Sequence, residues 1–302
     1  MERTFVRSRF DELDLGVICV EPQGETRAVL QLVHGMAEHK ERYLPLMEYL
    51  AQKGVASVIH DHRGHGESVK GLDSLGYMFD GGWEALVDDV HTVQEWAKAK
   101  FPGKPFYLMG HSMGSMVVRS FTKRYDSSIS GLIVCDCPSD NMAKGLGKLM
   151  ACCEEAICGG KHPSKLLNSI AFGSYDKPFK GEGRNAWLSA SKENVKAYNA
   201  DPLCGFCFTA NGFRNLFSLM QDCYSPKGWA MSNPSLPIHF ISGGDDPCRI
   251  SDKDFHKAVD FLKARGYTNV TPKLYPGLRH EILNEDCKED VFDDVCTCTG
   301  SL

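Results

Sequence analysis

Along the first 138 residues, short apolar runs alternate with amphipathic stretches, and this rhythm constrains the fold more than any other feature. The runs are VLQLV (29–33), VASVIHD (55–61), PFYLMG (105–110) and ISGLIVCDCP (129–138). Between them lie RYLPLMEYLAQKG, EALVDDVHTVQEWAKAKFPG and SMGSMVVRSFTKRY, each apolar at helical spacing: Leu46, Met47 and Leu50 in the first, Leu86, Val90 and Val93 in the second. Continuous apolar strands joined by helices predict parallel strands covered on both faces. Ahead of this rhythm, VRSRFDELDLGVICVEP and then TRAVLQLVHG read as an antiparallel start. From Ser139 to about Trp229 no clean strand is legible, and alternation returns with LPIHFISGG, KDFHKAVDFLKARG and VTPKLYPG. The expected organisation is one α/β core, residues 1–138 and 230–302, interrupted by a lid-sized helical insertion over 139–229.

Composition narrows the function classes. A chain of 302 residues with 42% hydrophobic and 24% charged residues can bury a large core. The net charge of -5 comes from 34 basic and 39 acidic residues with no long basic run, which argues against a nucleic-acid partner. The start, MERTFVRSRFDELDL, is too charged for a signal peptide, so the expected location is cytoplasmic.

Thirteen cysteines are read as reduced thiols rather than as a disulfide framework. Cys204-Gly-Phe-Cys207 has CxxC spacing but no second pair at zinc-finger distance, so buried thiols are expected there. Cys296 and Cys298, among Asp and Thr, are expected to be exposed and oxidisable.

The segment Gly110-His111-Ser112-Met113-Gly114 lies between a strand and a helix. A serine held in so sharp a turn projects its hydroxyl from the sheet edge, and residues two before and two after must be nearly free of side chains. The first amides of the following helix favour a developing oxyanion. A serine needs a base, and the base needs an orienting carboxylate, expected in the order Ser, Asp, His after later strands. The strand PIHFISG runs into Gly243-Gly244-Asp245-Asp246-Pro247, where Asp246 is preferred and Asp245 competes. His280, in TPKLYPGLRHEIL, is the expected base. The loop His34-Gly35-Met36-Ala37-Glu38-His39 follows an apolar strand at the same edge, so the N–H groups of Met36 and Met113 are the expected oxyanion donors. His60-Asp61-His62-Arg63-Gly64-His65 looks like a metal cluster, yet Arg63 and Gly64 stand where a metallo-hydrolase would place an Asp-His pair. It reads as a supporting polar loop, and no metal or cofactor is expected.

With HGMAEHKERYLPLMEYLAQKG, HDHRGHGES, GHSMG, ISGGDDP and PGLRHEILNE in that order, the chain resembles the monoacylglycerol lipase and lysophospholipase branch of the α/β-hydrolase fold. The resemblance covers roughly residues 26–138 and 234–287. It implies a mostly parallel eight-stranded sheet, Ser112, Asp246 and His280 as catalytic residues, the Met36 and Met113 amides as oxyanion hole, and a cap that shapes an acyl pocket. It also favours Asp246 over Asp245, because the family's carboxylate falls three residues after the glycine. The expected activity is cleavage of monoacylglycerol-like lipid esters, with transient membrane contact through the cap. Rivals on the same chemistry are a lysophospholipase, a short-chain or aryl esterase, and an amidase or peptidase. A metal-dependent hydrolase and a non-catalytic binding protein are rivals of other classes.

Overall fold

The computed structural model describes residues 1–300. Its strands are β1 (Glu2–Arg7), β2 (Asp14–Val20), β3 (Ala28–Val33), β4 (Val55–His60), β5 (Phe106–His111), β6 (Gly131–Cys135), β7 (Ile238–Gly243) and β8 (Val270–Tyr275). They form one eight-stranded sheet in the order β1-β2-β4-β3-β5-β6-β7-β8. All neighbours are parallel except β1–β2 and β2–β4. The helices are α1 (Leu44–Gln52), α2 (Gly82–Lys100), α3 (Met113–Tyr125), α4 (Lys144–Cys158), α5 (Lys165–Phe172), α6 (Lys192–Ala200), α7 (Ala210–Cys223), α8 (Asp252–Lys263) and α9 (Lys288–Cys298).

Alternation along the central strands divides the core into two layers. On β3, Val29 and Val33 join α2, α3, α7 and α8 on one face, while Leu30 and Leu32 join α1 and α9 on the other. Gln31 shares the Val29 face, and burial there obliges its amide to find a partner: Nε2 donates to Val90 O of α2 at 3.0 Å.

Two expectations are corrected. The antiparallel start holds for VRSRFDELDLGVICVEP, which folds on itself as the β1–β2 hairpin, closed where Ser8 N–H donates to Leu13 O at 2.8 Å, but TRAVLQLVHG forms β3, whose neighbours β4 and β5 both run parallel to it. The hairpin's charged middle is a turn, and β3, buried at every position, takes the two-sided centre of the sheet with β4 between it and β2. The second correction concerns Cys296, which is fully buried, while Cys298 is partly buried. Both lie on α9, whose Val291, Phe292, Val295 and Cys296 form the stripe against the α1 face of the sheet.

Between β6 and β7 lie α4 to α7 and no strand of the sheet. Helix α7 packs against α4 and reaches α2 and α3, so this segment is continuous with the main core. No helix among the described residues is long and apolar enough to cross a membrane. All thirteen cysteines are free thiols.

Candidate active site

β5 ends and α3 begins at Ser112, whose backbone sits at φ 52° and ψ -116°, a left-handed region costly for a residue with a side chain. Close packing holds the turn. A Cβ on Gly110 would stand 2.3 Å from Gly114 O, and one on Gly114 would stand 2.1 Å from Val33 O of β3. Only glycine fits at either position. Ser112 N–H donates to Cys135 O at 3.0 Å, which ties the strained residue to β6.

Three sequence-predicted residues meet here. His280 Nε2 lies 2.8 Å from Ser112 Oγ, and His280 Nδ1 lies 3.0 Å from Asp246 Oδ2, though not aligned for an ideal hydrogen bond. Such contacts are often loose without substrate. Asp246 Oδ1 accepts the Cys248 N–H at 2.8 Å, which leaves Oδ2 facing the histidine. Asp245 is exposed and forms no part of this row. Met36 and Met113 both line the cavity above Ser112. As the first residue of α3, Met113 carries an N–H without an i−4 carbonyl in the helix.

Several residues around this row were not singled out in the sequence. Glu38 is buried and accepts from Gly35 N–H at 2.6 Å, Tyr43 OH at 3.0 Å and Arg42 Nη1 at 2.8 Å. His111 lies between Glu38 Oε1, 3.2 Å from Nδ1, and His280 O, 2.9 Å from Nε2. Both neighbours are acceptors, so both ring nitrogens carry protons. Burial opposes that charge, but hydrogen bonding to Glu38 and its charge outweigh it and raise the His111 pKa to about 9. Arg42 also grips Glu281 through two parallel contacts of 2.7 and 2.6 Å. Asp136 stands behind Asp246, and burial pushes its pKa up to about 6 against the opposing pull of His111. The Trp187 ring packs on His280 with centroids 4.9 Å apart.

The 60–65 loop is occupied with other work. His62 N–H donates to His34 Nε2 at 2.9 Å, and Ala37 N–H donates to His65 Nε2 at 3.2 Å. Asp61 receives Lys40 Nζ at 2.5 Å and the Lys40 N–H at 2.9 Å. These contacts hold the 35–40 loop from below. Above Ser112 opens a cavity of about 420 Å³, walled by Met116, Leu146, Met150, Phe172, Phe217 and Met220 among others.

The family model described as serine aminopeptidase, S33, matches residues 24–287. The chain belongs to that family of α/β-hydrolases. A monoglyceride lipase homolog of monkeypox virus is 34% identical over 279 residues, 90% of this chain and 88% of that protein. A monoacylglycerol lipase of Mycolicibacterium smegmatis is 28% identical over 274 residues, 91% of this chain and 88% of that one. In fold, the hydrolase superposes on a thermostable carboxyl esterase from Bacillus coagulans with a TM-score of 0.88 at 23% identity, covering 98% and 96% of the two chains. The chain is therefore an enzyme, a hydrolase of the monoacylglycerol lipase-like branch.

Proposed function

We propose that this hydrolase cleaves monoacylglycerol-like lipid esters through Ser112, His280 and Asp246. The 2.8 Å contact between Ser112 Oγ and His280 Nε2, at the floor of an apolar cavity, is the observation that carries the reading. His280 Nε2 takes the Ser112 proton as Oγ attacks the ester carbonyl, and Asp246 stabilises the imidazolium. The Met36 and Met113 amides receive the oxyanion. Collapse of the tetrahedral intermediate breaks the ester C–O bond, and His280 returns the proton to the leaving glycerol. Water, deprotonated by the same histidine, then releases the fatty acid and restores Ser112.

Residues 139–229 act as the cap in this reading. The relatives' names and the apolar walls both favour an acyl chain as the cavity's occupant. The cap also exposes Met142, Leu149, Ile157 and Leu166, a set suited to transient contact with a lipid surface. Hydrolysis rates on nitrophenyl esters of increasing chain length, beside 1-monoacylglycerols and lysophospholipids, test the proposal. The highest kcat/KM is expected on medium- to long-chain monoacylglycerols. A preference for acetate or butyrate esters, or for lysophospholipids, would overturn the substrate assignment.

A further inference from the structure

Beyond the reacting serine, the chain after α6 meets the 35–40 loop at a second polar cluster. His39 Nε2 lies 2.8 Å from Asp201 Oδ2, and His39 Nδ1 lies 2.7 Å from Glu41 Oε2. The Cys204 thiol joins them: one donor atom from each of His39, Asp201 and Cys204 falls within 4.8 Å of the other two. His39 and Cys204 are buried, whereas the Asp201 side chain is 31% exposed.

We propose that His39, Asp201 and Cys204 bind a divalent transition-metal ion of the zinc type, which clamps the cap to the loop carrying Met36. The donor set supports this choice. Imidazole nitrogen, carboxylate oxygen and thiolate sulfur together suit zinc or cobalt, whereas magnesium and calcium take oxygen ligands. Three protein ligands leave a fourth position for water, and the open side of Asp201 gives the ion a way in.

The surroundings have the features of a metal site's outer shell. Glu41, itself 2.7 Å from Arg3 Nη1, accepts from His39 Nδ1–H and so fixes the tautomer that presents Nε2. Asp201 Oδ1 accepts the Leu203 N–H at 2.8 Å, leaving Oδ2 for the ion. A turn closed by Cys204 N–H to Asp201 O, 3.1 Å, brings the carboxylate and thiol side by side. The seam is shared with the oxyanion loop, since Gly205 N–H and Tyr198 OH both donate to Ala37 O, at 2.9 and 3.0 Å. Cys207 takes no part, because its thiol faces Phe208 O at 3.4 Å. The relevant partner of Cys204 is therefore a histidine 165 residues away in sequence, not the second cysteine of the CxxC. Binding displaces one proton from His39 Nε2 and one from the Cys204 thiol, both to solvent, with no change in oxidation state.

The test is a titration of the full chain with Co2+, followed by absorbance, and with Zn2+, followed by competition against a chromophoric chelator. One equivalent is expected to bind, with a thiolate-to-cobalt charge-transfer band in the near ultraviolet. Cys204→Ser should abolish the band, and Glu41→Gln should weaken Zn2+ binding by about 10–100-fold. Asp246, Cys248 and His280 form a second cluster of metal-ligand type, so Cys248→Ser is the control and should leave the band unchanged. Should Cys204→Ser fold poorly by circular dichroism, His39→Gln is read in its place and must also lose the band. No band in the wild-type protein, or a band that survives the loss of Cys204 or disappears with Cys248, would overturn the proposal. The His39–Asp201 contact would then be an ion pair only.

Discussion

His111 Nε2 donates to the backbone carbonyl of His280 at 2.9 Å, so the residue before the candidate nucleophile holds the candidate base in place from behind. The same ring anchors on Glu38, and Glu38 anchors the Gly35 N–H. One imidazolium thereby links the serine turn, the candidate base and the loop that carries Met36. In the proposed mechanism His111 touches no reacting atom and acts as a positioning residue. His111→Gln can keep one of its two contacts and should lower kcat by about 10-fold while leaving KM within threefold, as expected when only transition-state alignment suffers. An unchanged kcat would remove the positioning role.

The histidines also set a pH window for stability. His111 is raised above its ordinary value, so its contribution is complete below about pH 6.5 and is lost as pH rises through about 9. Its upper bound is on the order of 3 kcal/mol. Burial pushes His60 down to about 3 and His65 down to about 4, so both fold neutral. Their contribution is complete above about pH 6.5 and falls away as pH drops towards 4. Urea unfolding from pH 4 to 10 should show a maximum between these limbs, and His111→Gln should make the alkaline limb shallower, with His39 supplying the remainder, while leaving the acid limb unchanged. An alkaline limb identical in the variant would contradict the assignment.

The serine turn makes a steric prediction. Gly114→Ala forces a methyl to 2.1 Å from Val33 O and 2.5 Å from His34 O, against fixed backbone at the end of β3, and should cost about 3 kcal/mol or more. Gly145 in α4 has nothing nearer than Gln221 Nε2 at 3.9 Å, so Gly145→Ala should stabilise by about 0.5–1 kcal/mol. Thermal unfolding of the pair checks both signs.

Much of this site was legible in the sequence because its demands are local. The GHSMG turn needs glycines two residues either side of Ser112, and Asp246 and His280 follow strands whose apolar runs are readable. What escaped is long-range. Arg42 and Glu281 lie 239 residues apart, and Glu38, His111 and Asp136 acquire roles only once three strands bring them together. Cys296 was misplaced because its acidic neighbours say nothing about which face of α9 meets the sheet. β3 was read into the antiparallel start because it follows β2 in sequence, whereas its buried run belongs at the parallel centre of the sheet.

Leu149 and Ile157 project from α4 with 60% and 83% exposure. Replacing both with serine should weaken partition onto phosphatidylcholine vesicles several-fold and leave hydrolysis of a water-soluble short-chain ester within twofold. Sedimentation with vesicles measures the first and a nitrophenyl ester assay the second. Equal partition by variant and wild type would contradict a lipid-surface contact through these side chains.

Two adjacent aspartates separate the proposed mechanism from a generic polar site. Asp246→Asn should lower kcat by about 10⁴-fold, since the carboxylate fixes the histidine tautomer, while Asp245→Asn should stay within threefold. Steady-state kinetics on one ester distinguish them. Equal losses in both would contradict the assignment of Asp246.

The most direct test of the central claim is the intact mass of the protein after treatment with a fluorophosphonate. One covalent adduct per chain is expected, mapped to Ser112 and absent from a folded Ser112→Ala variant. A wild-type protein that stays unlabelled, or an adduct that persists in Ser112→Ala, would contradict it.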